Sequence, residues 1–350
     1  MTVTVSRSAE WTTVRAMHAP ADSRDNAIDT MRGIAILMVI GIHSLQQPLD
    51  TPWAVAVDAA LRPCVPIFLF ASGYLTALSG RVPLAKRLKA TLIPYATAFA
   101  AAYIYMALHN SAMDHRLITT LARFGLAYVF VYYYVFVYAG CTVVMWLIFA
   151  TTGTDTSEAK QKRTLVLILA IGAGLIFGSY VDPTLSRLGY SDALIDEVRM
   201  RDIPFWFSFM AAGALTAMYP RSDEPSARGI LLGVMLLAYA AYATVRLFAI
   251  GDAAAYDSTA FFAYAALLCL WLLARQPNSS PLAMIGSGSY FIYLWHIFFI
   301  MALRDHVAMH QFGPILNSAM TFALTVTSSV LVLAAVRQVA SRPALRWLGA

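Results

Sequence analysis

Ten stretches of at least 17 residues that carry almost no charge constrain this chain more than any other feature. They begin near Gly33, Pro63, Ala90, Phe124, Thr164, Ile203, Gly229, Ser258, Gln276 and Gln311. Each is long enough to cross about 30 Å of hydrocarbon as an α-helix. Their apolar residues run continuously and do not alternate, which argues against a β-barrel. With 59% hydrophobic and 13% charged residues, and a mean hydropathy of +0.64, the chain falls outside the composition of soluble domains. The expected fold is all-α: a polytopic integral membrane protein with about ten transmembrane helices.

Residues 1–28 are polar and lack the apolar core of a signal peptide, so the amino terminus is expected in the cytoplasm. With ten alternating spans most Lys and Arg fall on that same side, the densest group being RVPLAKRLK at 81–89. This asymmetry follows the positive-inside rule and predicts that both termini are cytoplasmic. The expected organisation is a cytoplasmic segment 1–28, a membrane domain 29–336 and a cytoplasmic tail 337–350. The net charge of +6 comes from short loops beside apolar spans, where anchoring accounts for it, and nucleic acid is not an expected partner. Cys64, Cys141 and Cys269 lie in or beside apolar runs without metal-ligand spacing. They read as packing residues, with neither a disulfide framework nor a metal site.

Ionisable groups inside a span are expensive and therefore informative. In DTMRGIAILMVIGIHS (29–44), Arg32 and His43 are eleven residues apart, which puts both near one face of a helix at a separation of about 16 Å. Asp29 precedes Arg32 by three residues, where it can cap the helix and pair with the guanidinium. In GSGSYFIYLWHIFF (286–299), Ser289, Tyr293 and His296 fall at i, i+4 and i+7, a polar stripe along an otherwise apolar face. In PCVPIFLFASGYLTA (63–77), prolines and then Ser72 and Gly73 interrupt an apolar run and permit a kink or a close helix contact. KRLKATLIPYA (86–96) opens a span with three cations, among them Lys86 and Arg87, suited to phosphate. Each element also has a plainer reading: Arg32 snorkelling to lipid phosphates, histidines bonded in a helical core, serines packing helices, cations fixing topology. The charged stretches 109–125 and 181–204 read as outer surface loops.

The order and spacing of these pieces resemble the acyltransferase-3 family, integral membrane proteins that transfer acyl groups, usually acetyl, to sugars and other hydroxylated acceptors. The matching pieces are IDTMRGIAILMVIGIH with its Arg-x10-His spacing, FLFASGYL, KRLKATLIPY and SYFIYLWH, spread from residue 28 to residue 296. Lacking a soluble domain in this sequence, the chain is most similar to the O-acetyltransferases of bacterial surface glycans. The resemblance implies a multi-pass protein of the bacterial inner membrane, acetyl-CoA or another acyl-CoA as donor, a glycan hydroxyl as acceptor, and no metal. Carried over by position, the family's Arg and His fall on Arg32 and His43, its basic pre-span residue on Arg87 and its late histidine on His296; Arg32, His43 and His296 are the expected catalytic residues, and Arg32, Arg87 and Lys86 the expected donor site. The resemblance also matches the family's Ser-Gly element to Ser72 and Gly73. Members often open a middle span with a Trp-containing pair; here VYYYVFVYAG (131–140) stands instead, so Tyr132 to Tyr134 are the candidate aromatic surface.

Transfer from a thioester to a hydroxyl requires a base, and neutral histidine, with an ordinary pKa of about 6.5, suits that role. His43 is the expected base or acyl relay, with Ser72, Tyr293 and Ser289 as substrate-binding or oxyanion groups. Without the resemblance, the same residues fit a sugar or anion transporter in which Arg32, His43 and His296 line the path.

Overall fold

The computed structural model describes residues 25–45, 47–110, 112–129, 131–153, 156–219, 225–250, 256–307 and 309–350. Residues 1–24, most of the expected amino-terminal segment, lie outside this set. The described residues form helices and no strands. In chain order they are α1 (Asn26–Ser44), α2 (Pro52–Leu61), α3 (Cys64–Ser79), α4 (Leu84–His109), α5 (Leu117–Gly125), α6 (Tyr133–Thr152), α7 (Ser157–Arg187), α8 (Asp192–Met200), α9 (Ile203–Met218), α10 (Pro225–Leu247), α11 (Thr259–Arg275), α12 (Ser280–Ser287), α13 (Ser289–His306), α14 (Gly313–Val339) and α15 (Arg342–Leu348).

All ten expected apolar stretches overlap these helices, which make a multi-pass membrane protein. Seven spans, counting α2 and α3 together, have the length and composition to cross a membrane. The α12–α13 pair, bent by 80° at its break, is an eighth candidate. The remaining two are shorter, 16 residues in α9 and 17 in α11. Three boundaries differ from expectation. The run from Phe124 does not open a span: α5 ends at Gly125 and α6 starts at Tyr133. The turn between them is held by tyrosines, since Tyr95 Oη donates to the Phe124 carbonyl at 2.9 Å and Tyr293 Oη to that of Val131 at 2.6 Å. Backbone carbonyls freed from a helix need such partners in an apolar bundle. Asp29 is not the cap of α1; Asp25 is, accepting from the Ala27 and Ile28 amides. Finally, 181–204 is mostly helical and not a loop: α7 continues into it to Arg187 and α8 follows, with Arg199 paired to Asp182 and Asp196 and Arg201 to Glu197.

Two helix contacts position the functional residues, and both need glycine. On α1, a Cβ at Gly33 would strike the Leu282 carbonyl of α12, and one at Gly286 of α12 would strike the Asp29 carbonyl in return. Gly73 of α3 and Gly213 of α9 meet the Met210 and Phe70 carbonyls in the same reciprocal way. Small residues let helices approach backbone to backbone, the main source of packing energy where no hydrophobic effect acts. Gly73 therefore serves close packing and not a kink: α3 runs unbroken through it. The three cysteines are free and buried. After α14 the chain turns back as α15, where the Leu348 carbonyl accepts from Trp295 Nε1 at 3.3 Å.

Candidate active site

The polar residues of α1 and α13 face one another along a single seam. At one end Arg32 Nη2 donates to Ser289 Oγ at 3.1 Å, while Arg32 Nη1 lies 3.4 Å from Asp29 Oδ1. At the other end the His43 and His296 rings stand 5.5 Å apart, centroid to centroid, tilted by 35°. The earlier residue of each helix meets the earlier residue of the other, so the two helices run in parallel along the seam. The break at Gly288 starts α13 beside Arg32, with no side chain capping its first amides. A helix start of that kind favours negative charge.

A cavity of about 390 Å³ opens at the Arg32 end. Arg32, Ser72, Arg87, Tyr134, Tyr138 and Tyr290 are in its wall. Arg87 is steadied there by donating to Thr76 Oγ1 at 2.6 Å, and Thr76 in turn donates to the Ser72 carbonyl at 2.6 Å. Tyr290 Oη donates to the Thr91 carbonyl at 2.6 Å. Lys86 is exposed and not in that wall, since successive helical residues point about 100° apart. Two guanidiniums can bond phosphate oxygens there, and three phenol rings offer flat faces and hydroxyls beside them. A larger cavity of about 680 Å³ lies between α3, α9, α10 and α11. Its wall is mostly aliphatic, including Leu78, Leu231, Val234 and Leu270, and includes none of the seam residues.

Aromatic rings connect the smaller cavity to the histidines. Tyr134 of its wall lies 5.4 Å from Tyr293, Tyr293 lies 6.3 Å from His296, and His296 meets His43. Tyr293 gives its one hydroxyl proton to Val131, so in this conformation it has none to offer an oxyanion. Ser289, 1% exposed, accepts from Arg32. His296 is wholly buried, with Nδ1 2.8 Å from the Tyr293 carbonyl and 3.1 Å from that of Ile292. Carbonyls only accept, so Nδ1 carries the proton and Nε2 keeps its lone pair, with no hydrogen-bond partner among the described residues. The His43 ring, half-buried, likewise makes no hydrogen bond among them; its carbonyl accepts from Arg304 Nη2 at 2.8 Å.

Two features at the histidine end escaped the sequence reading. Asp58, fully buried, has its Oδ2 2.7 Å from Arg62 Nε and 2.9 Å from Arg246 Nη1. The signal was an acid in the apolar run PWAVAVDAALRP, four residues before an arginine, together with the unpartnered Arg246 of a distant span. Nearby, Arg199 of α8 pairs with Asp182, Asp196 and Asp257. Burial, reinforced by the charge of Asp182, holds the Asp257 carboxyl well above the ordinary range. Burial likewise pushes Asp202 up to about 6. Among the described residues no three His, Cys, Asp or Glu side chains gather as metal ligands.

The profile of a family described as an acyltransferase domain matches residues 25–334. The chain belongs to the acyltransferase-3 family. The match takes in the whole seam and its cavity, and it makes this protein a membrane acyltransferase, which displaces the transporter reading. Neither a curated protein nor a solved structure significantly matches the acyltransferase.

Proposed function

We propose that the protein is an O-acetyltransferase that takes acetyl from acetyl-CoA and delivers it to a sugar hydroxyl of a cell-surface or lipid-linked glycan. The bacterial inner membrane is its proposed location, with the cavity on the cytoplasmic side. The observation that carries the reading is the seam itself: a cationic, aromatic cavity at one end, a histidine pair at the other, and contacting rings between them.

In this reading Arg32 and Arg87 hold donor phosphates, the phenols of Tyr134, Tyr138 and Tyr290 face the adenine or pantetheine, and Lys86 attracts the donor from outside the wall. The pantetheine arm lies along α1 towards His43, over about 16 Å of helix. The acceptor hydroxyl attacks the thioester carbonyl carbon while His43 removes its proton. The carbonyl oxygen then carries negative charge in the tetrahedral intermediate, while Ser72 and Ser289, at the Arg32 end of the seam, serve the donor and not this oxyanion. Collapse breaks the carbon–sulfur bond; the thiolate leaves and takes the proton back from the His43 imidazolium. His296 acts beside it, its bare Nε2 able to accept from that imidazolium and fix its orientation. A relay through acetyl-His43 would split the same transfer into two half-reactions.

The test is release of free CoA by purified protein in detergent, with and without glycan acceptors. Wild type should release CoA only when acceptor is present, and His43→Ala should not, although it elutes as the same folded species. Near-normal release by His43→Ala would remove His43 from the mechanism.

A further inference from the structure

Three guanidiniums stand at the His43 end of the seam. Arg62 and Arg246 both bond Asp58 through one oxygen, Oδ2, and leave Oδ1 buried without a hydrogen bond. Arg62 also lies against Tyr256, its Cζ 4.5 Å from the ring centroid. A third guanidinium, Arg304 of α13, reaches back to the His43 and Leu45 carbonyls at 2.8 and 3.4 Å and pairs with no carboxylate among the described residues. Its neighbour Asp305 is engaged elsewhere, accepting from Tyr105 at 2.6 Å. Two of the three guanidiniums are therefore bonded to one carboxylate and the third to none among the described residues, and Arg62 follows Leu61, which packs against Gly41 two residues before His43. A guanidinium without a carboxylate partner, beside a histidine that can act as a base, has N–H groups free to bond an anion. Arg304 is exposed and His43 half-buried, so the place is reachable.

We propose that the acceptor carries an oxyanion, a carboxylate or a phosphate, and that Arg304 and Arg62 hold it so that a neighbouring hydroxyl meets His43. This rests on reading His43 as the base, and it names the acceptor class that reading leaves open. An oxyanion bonded by guanidinium N–H groups is fixed in orientation as well as position. Asp58 and Arg246 keep Arg62 in place from behind.

Binding without donor tests the proposal independently of catalysis. Purified protein in an uncharged detergent is titrated with trigalacturonate, its carboxyl-reduced counterpart, and galactose linked through phosphate to farnesol. At least one anionic probe should bind about tenfold or more tightly than the neutral trisaccharide, with the preference shrinking as salt rises. Which of the two does so tells carboxylate from phosphate. The preference should fall towards unity in Arg304→Gln, whose exposed side chain leaves packing intact, and further when Arg62→Gln is added. Equal binding of neutral and anionic probes, no binding of either anion, or a preference that survives both substitutions would overturn it. CoA release scored on the same samples separates the two claims: turnover of the neutral sugar alone sinks the oxyanion site and leaves His43 as base. An Arg304-dependent preference without any CoA release keeps the site and discards the base.

Discussion

The two ends of the α1–α13 seam use similar residues in opposite ways. At the Arg32 end the side chains stand apart around about 390 Å³ of space, and Arg32, Arg87 and Tyr290 in the wall are each held by a partner, as Thr76 holds Arg87. At the His43 end the rings are in contact and His296 is wholly buried. Open space with preset cations suits the binding of a large anionic ligand, whereas a packed pair with an unprotonated nitrogen suits proton transfer. In the proposed mechanism one helix pair thus separates donor recognition from proton transfer by about three turns. Substitutions at the two ends should then fail differently.

The largest expected effect is at the packed end. His43→Ala should lower kcat by about 10²- to 10⁴-fold while leaving the affinity for acetyl-CoA close to wild type, as read by steady-state release and by donor titration. A parallel loss of donor affinity would erase the distinction between the ends. Next comes Asp58→Asn, which leaves two buried guanidiniums without their carboxylate and should cost about 3–5 kcal/mol in reversible or thermal unfolding in detergent. An unchanged melting temperature would show that Asp58 does not brace α2 against α10. At the open end Arg32→Ala should weaken acetyl-CoA binding by about 1.5–3 kcal/mol, with the residual kcat at saturation less affected than in His43→Ala.

The smallest effect is in the buried acid cluster beyond the histidines. Because the Asp257 carboxyl is raised in the folded protein, the folded state holds a proton that the unfolded chain has lost once pH exceeds its ordinary value of about 4. The stability this contributes is fully present below about pH 4 and is lost as pH rises through the higher folded value. Asp257→Asn should flatten that part of the pH–stability profile; an unchanged slope would assign it to other groups, Asp202 first.

Much of this was legible in the sequence because membrane helices announce themselves by length and by the rarity of charge. The helical class, and the placement of Arg32 with His43 and of Ser289 with His296 on two faces, followed from spacing alone. What spacing could not supply was which faces meet. Asp58 was not singled out, because its partner Arg246 lies 188 residues away. Of the wall tyrosines, Tyr134 was one of the candidate aromatic surface at 132–134, whereas Tyr138 and Tyr290 were indistinguishable from packing aromatics until the cavity joined them. The misplaced start of α6 has a similar origin: the chain from Phe124 is apolar enough for a span, but Tyr95 and Tyr293, distant in sequence, hold its carbonyls in a turn. Asp25 took the cap from Asp29 because both are acids within one turn of the helix start, a difference of the size by which helix ends are routinely misjudged.

The most direct test of the separation is acetyl-CoA binding to the wild type, Arg32→Ala and His43→Ala proteins by calorimetric titration in detergent. The expected result is saturable binding to wild type and His43→Ala with similar affinity, and binding at least about tenfold weaker to Arg32→Ala. No binding to folded wild type, or equal binding to all three, would contradict the assignment of the cavity to the donor.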